Sequence, residues 1–172
     1  MKSRLLILLL FIVTCYSVVA QTAKEVQDTV HHQTILLGAI SDIELSQGDY
    51  ADWFIPEKDN YELNQDLVSR LNSILSEGEY KIKIFLATWC SDSREQVPRF
   101  FKLYVALANA PEYEMYALDA KKHMPDFDTN PYAIDRVPIF IIYKDDTEVG
   151  RIIETPKDSF EQDLLTILEA VN

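Results

Sequence analysis

The chain has 172 residues, 48% of them apolar and 26% charged, with four glycines and seven prolines. That balance fits one globular domain with a sizeable core and leaves no room for a long low-complexity linker. The formal charge of −12 argues against a nucleic-acid partner, because phosphate binding needs a basic face.

The N-terminus differs from the rest. Lys2 and Arg4 precede an unbroken apolar run from Leu5 to Val13, and the stretch Thr14 to Val19 leads to Ala20. A positive start, a short apolar run and a small residue make a secretory signal peptide, with the cut expected after Ala20. The run is shorter than the roughly 20 residues a membrane helix needs, so no stable membrane insertion is expected after cleavage. An uncleaved anchor is one alternative. Lipid attachment at Cys15 is another, which Thr14 before it fits poorly. Cleavage leaves 14 basic against 28 acidic residues, a formal charge of −14. The reading is of an exported protein, periplasmic or secreted, whose acidity serves solubility and keeps it off anionic membranes. Its one remaining cysteine, Cys90, has no partner for an internal disulfide. The expected division is a signal peptide at 1–20, an N-terminal extension at 21–60 and the main domain at 61–172.

In chain order, Thr34 to Ser46 is apolar without a clear period and reads as strand or helix. Gly48 to Phe54 brings Tyr50, Trp53 and Phe54 to one edge of the core, with Pro56 expected to end the segment. Leu63, Leu67, Leu71, Ile74 and Leu75 repeat at helical spacing, which predicts a helix over Leu63 to Ser76 closed by Gly78. Tyr80 to Thr88 is a continuous apolar run, as a central strand covered on both faces requires. Ser91 to Ala108 is a second helix with Pro98 inside it. Tyr113 to Leu118 is a strand, and Lys121 to Asn130 a loop or frayed helix. Val137 to Tyr143 is a strand beginning at Pro138. Lys144-Asp145-Asp146 turns it into a return strand, Glu148 to Ile153. Phe160, Leu164, Leu165, Ile167 and Leu168 mark the final helix. The order predicts an α/β fold, a mixed central sheet with helices on both faces.

Trp89-Cys90-Ser91-Asp92-Ser93 falls at the junction of the central strand and the Pro98 helix, with Pro98 eight residues after Cys90. Val137-Pro138-Ile139-Phe140 opens the later strand. Here the chain resembles the thioredoxin superfamily over about Tyr80 to Val171. The family carries Trp-Cys-x-x-Cys at this junction, a helix proline at this spacing, and a cis proline opening a later strand. The resemblance implies a thioredoxin-like three-layer fold. The chain departs from the pattern at several points. Ser93 stands where the second cysteine belongs, and Ser91-Asp92 replaces the usual residues between the two. Ile84 replaces a buried acid, and a glycine after the last strand is replaced near Glu154-Thr155. The combination is similar to a bacterial branch of the superfamily that implies little about substrate.

Cys90 at a helix start faces unpaired N–H groups and the positive end of the dipole, which favour the thiolate, the reactive form. Ser93 would donate a further hydrogen bond. Asp92 opposes the thiolate, and it also stabilises the helix start. Arg94 either offsets Asp92 or faces water. The resemblance makes Val137 and Pro138 the substrate-binding loop, lying beside Cys90, where the Val137 backbone would pair with an extended partner. Otherwise Pro138 only fixes a tight turn. Trp89 shields the thiol or fills the core. Ala87 stands where a peroxiredoxin would carry threonine, which discounts peroxide chemistry. His31-His32 and His123 are too few and too scattered for a metal site, and no cofactor is expected.

Two functions remain open. One is monothiol exchange with protein or low-molecular-weight thiols and disulfides. Here Cys90 is the nucleophile and Ser93 its stabiliser, and an external thiol resolves the product. The other is a redox-inactive module that holds an extended peptide or a partner protein.

Overall fold

A computed structural model describes residues 23–171. The expected signal peptide, its cut and Cys15 lie outside those residues. The sheet has six strands: β1 (Lys24–Asp28), β2 (Gln33–Ile40), β3 (Tyr80–Leu86), β4 (Glu112–Ala117), β5 (Ile139–Lys144) and β6 (Thr147–Ile153). Five α-helices accompany them: α1 (Asp42–Leu45), α2 (Gly48–Asn60), α3 (Gln65–Leu75), α4 (Ser91–Ala106) and α5 (Phe160–Glu169). The order across the sheet is β1-β2-β4-β3-β5-β6. Only β3 and β4 run parallel, joined by the α4 crossover; the other pairs are antiparallel.

The central strand β3 explains the layering. Side chains alternate across a strand, so Ile82, Ile84 and Leu86 enter one core while Phe85 and Ala87 enter the other. The first core holds the buried residues of α2, α3, α4 and α5, among them Phe54, Leu71, Phe101 and Leu165. The second face is covered by residues 119–138, through Met124, Phe127, Ile134 and Val137. The helical part of that segment is one 3-10 turn, Asn130–Tyr132, with Tyr132 packed on Phe85. Helical structure therefore lies on both faces, unequally.

The described part of the expected N-terminal extension, residues 23–60, contributes to the same sheet. The ambiguous stretch Thr34 to Ser46 is a strand as far as Ile40 and then the short helix α1, started by Ser41. Ser41 Oγ accepts from Ile43 N–H, and Glu44 reaches back to the Ser41 N–H. β2 pairs with β4, with Ile40 opposite Met115. Pro56 does not end its segment. It lies inside α2, which continues to Asn60. Proline costs a helix about 3 kcal/mol through its missing N–H and its clash with an earlier carbonyl. Both Pro56 and Asp52 are exposed, so water can serve the freed carbonyl. Burial of Tyr50 and Phe54 holds the helix together. Gly78 is not the cap of α3; Ser76 is, its N–H donating to the Asn72 carbonyl.

The two-residue turn of the β5–β6 hairpin has positive φ at both Asp145 and Asp146, as a type I′ turn requires. Glu154, just past β6, also has positive φ, at 57°. Glycine adopts that conformation without strain, whereas a glutamate holds it at a cost.

Candidate functional site

Cys90 sits between β3 and α4 as the N-cap residue of the helix. Its N–H donates to the Ala87 carbonyl at 3.0 Å, and its own carbonyl accepts from Arg94 N–H at 3.1 Å, closing the first helical turn. The side chain caps none of the first-turn N–H groups. The Sγ thiol, half-buried, instead donates to the Val137 carbonyl at 3.3 Å.

That contact joins two segments 47 residues apart. Val137–Pro138 is a cis peptide, and both residues are buried. The Pro138 carbonyl is occupied, accepting from Glu154 N–H at 2.7 Å. Among the described residues, no group accepts a hydrogen bond from the Val137 N–H. A backbone donor is thus left over on the residue whose carbonyl meets the sulfur.

Ser93 is fully buried, and its Oγ accepts from Ala87 N–H at 3.2 Å. Among the hydrogen bonds of the described residues, none joins Ser93 to Cys90. The expected donation to the sulfur is absent from this arrangement, because the hydroxyl is aimed back at the end of β3. Arg94 is half-exposed, and its side-chain hydrogen bonds go to other partners than Asp92. Its Nε donates to the Thr88 carbonyl at 2.6 Å and its Nη2 to Gln33 Oε1 at 2.9 Å, with the guanidinium 5.9 Å from the Trp53 ring centre. Asp92 lies in the first turn of α4, half-exposed, and accepts from Ser91 Oγ at 3.4 Å. Its charge favours the helix start.

Trp89 is half-buried against the second core, alongside Cys90. Its Nε1 donates to the Leu118 carbonyl at 3.3 Å. The indole stacks on the ring of His31, with centroids 4.2 Å apart and planes 8° from parallel. The main chain of β2 is tied to the same turn, Leu36 N–H donating to Thr88 Oγ1 at 3.1 Å. Sequence reasoning missed His31, Gln33, Leu36 and Thr88. The partners are separated by 52 or more residues, and no periodicity or spacing in the chain marks them.

A cleft of about 320 Å³ flanks the Val137–Pro138 loop, lined by Ala133, Asp135, Arg136, Ile139, Ile153 and Glu154. Its rim carries the Arg136–Glu154 ion pair at 2.8 Å. Another cleft, about 500 Å³, lies around Tyr80 and Lys81 at the opposite end of β3 from Cys90. Among the described residues no three His, Cys, Asp or Glu side chains are grouped to hold a metal ion. No helix among them is long and apolar enough to cross a membrane.

No family model and no curated protein matches the chain. Solved structures do. The protein of unknown function PA1234 from Pseudomonas aeruginosa superposes with a TM-score of 0.60 at 15% identity, over 78% of this chain and 94% of that one. An HIV epitope-scaffold protein matches with a TM-score of 0.50 at 17% identity, over 71% of this chain and 83% of that one. Mitochondrial thioredoxin 3 from Saccharomyces cerevisiae is also found, with a TM-score of 0.38 at 20% identity, over 60% of this chain and 90% of that one. The β3-α4-β4 crossover, the antiparallel β5–β6 hairpin and the Val137–Pro138 loop against the thiol at the helix start define the architecture. The chain is an α/β protein with a mixed six-stranded sheet and a thioredoxin-like fold.

Proposed function

We propose that this protein is an exported monothiol exchange protein, acting through Cys90 on protein or low-molecular-weight disulfides. The observation that carries the reading is the Cys90 thiol held 3.3 Å from the Val137 carbonyl, with no acceptor for the Val137 N–H among the described residues. An extended partner segment laid along Val137 would receive that N–H as an added strand does, and its disulfide would then lie against the sulfur. The neighbouring cleft at Ile139 and Ile153 supports a side chain of such a segment being taken up there.

The Cys90 thiolate attacks one sulfur of a partner disulfide; a Cys90–partner disulfide forms, and the other partner sulfur leaves as thiolate. The described residues hold no second cysteine, so an external thiol must attack the mixed disulfide. That thiol becomes disulfide-bonded to the partner, and Cys90 is returned. Export rests on the signal-peptide pattern of residues 1–20. The acidic surface disfavours nucleic acid as a partner.

One observation favours the alternative, a binding module without turnover. Ile84, where the family carries a buried acid, is fully buried and can move no proton. The test is incubation of the purified protein with a cystine-containing unfolded protein and with glutathione disulfide, followed by non-reducing mass analysis. The exchange reading expects a mixed disulfide on Cys90 that glutathione releases and that Cys90→Ser abolishes. Persistent non-covalent binding by Cys90→Ser, with no adduct on the native protein, would replace it with the module.

A further inference from the structure

The β1–β2 hairpin belongs to no part of the thiol motif, yet it is fastened to the thiol turn at three places. At its tip, Asp28 accepts from His31 N–H at 2.8 Å and from His31 Nδ1 at 2.5 Å. The carboxylate can only accept, so Nδ1 carries the proton. The held imidazole lies flat on the Trp89 indole at 4.2 Å. Further along, Gln33 accepts from Arg94, which itself holds the Thr88 carbonyl. Deeper, Leu36 N–H meets Thr88 Oγ1. The tip residues His31 and His32 are exposed, and His32 turns the chain with φ 55°.

We propose that His31 is a positioning residue of the thiol site. Oriented by Asp28, it pins Trp89 as a fixed wall beside Cys90 and makes the hairpin tip the site's specificity-determining edge. Trp89 has two faces to fill. The second core takes one side and the Leu118 carbonyl holds Nε1; His31 occupies the remaining ring face, which is then not available to a partner. An extended segment paired with Val137 would pass beside this wall, whereas a broad folded surface would also have to clear the exposed hairpin tip. The substrate class is therefore a disulfide carried on an extended or unfolded peptide. This deepens the exchange reading and rests on it for the nature of the partner; the pinning of Trp89 does not.

The test uses His31→Ala and His31→Phe in a Trp53→Phe background, where Trp89 is the sole tryptophan and is excited selectively at its red edge. The first readout is the alkylation rate of Cys90 by iodoacetamide, which needs no exchange activity. The second is Trp89 emission and near-UV dichroism. The third is exchange with a folded against an unfolded disulfide protein. His31→Ala should red-shift Trp89, raise the alkylation rate about two- to tenfold, the range a single aromatic stack supports, and narrow the preference for the unfolded partner. His31→Phe keeps the stack and should restore all three. An alkylation rate unchanged by His31→Ala overturns the proposal, whether or not the spectrum moves. A faster rate with no rescue by His31→Phe also overturns it. A native protein that alkylates but never exchanges removes the exchange reading while leaving the pinning of Trp89 to be judged on the first two readouts.

Discussion

Ser93→Ala separates a structural serine from a catalytic one. The Ser93 oxygen is the acceptor for the Ala87 N–H at 3.2 Å, and both residues have no exposed surface. Ala87 lies just past β3, where the ladder no longer serves its N–H. The alanine variant leaves that buried donor unpaired, at a cost of about 1–3 kcal/mol. Its volume change is too small for a cavity to add much. Urea unfolding should therefore show a midpoint lower by roughly 1 M, given a slope of about 1–3 kcal/mol per molar for domains of this kind. Thermal unfolding should fall by about 2–4 °C for each kcal/mol lost. Alkylation of Cys90 in the folded variant should proceed as in the native protein, since the two side chains share no hydrogen bond. A variant of native stability with a slowed thiol would overturn this role and return Ser93 to the sulfur.

Gly150 on β6 faces α5, and a Cβ there would sit 2.7 Å from Ile167 Cγ2 and 2.9 Å from its Cγ1. Gly150→Ala should destabilise by about 1–3 kcal/mol through overpacking, with Ile167→Ala restoring part of the loss; equal stability of the single variant would show that α5 yields freely. Burial of Glu114 acts to raise its pKa, but hydrogen bonds from Lys83 and Tyr116 and the Lys83 charge outweigh it and hold the carboxyl below its ordinary 4.5. A folded value below the unfolded one contributes stability above pH 4.5, lost as the pH falls through the lowered value. Glu114→Gln should thus flatten the acid limb of the melting temperature against pH; an unaltered limb would dismiss this pair as a source of acid sensitivity.

The features legible along the chain were local ones. The apolar run of β3, the helix after Cys90 and the turn at Asp145-Asp146 depend on side-chain period, capping and backbone preference, which neighbours in the chain decide. So the thiol at a helix start and the Pro138 loop were legible, the loop through the motif that Val137-Pro138-Ile139 shares with the family. Tertiary structure decided the rest. The run Ile35-Leu36-Leu37 has no period to reveal a strand, and it became one by pairing with β1 while Gly38 to Ile40 of the same strand joined β4. Pro56 argues locally for a stop, yet the burial of Phe54 kept α2 intact. Ser93 and Arg94 carry the same chemistry in any fold; the positions of Ala87, Thr88 and Gln33 directed their polar atoms away from the sulfur and Asp92. The hairpin over Trp89 is the clearest case, since a stack between residues 31 and 89 depends on strand pairing that only the assembled sheet supplies.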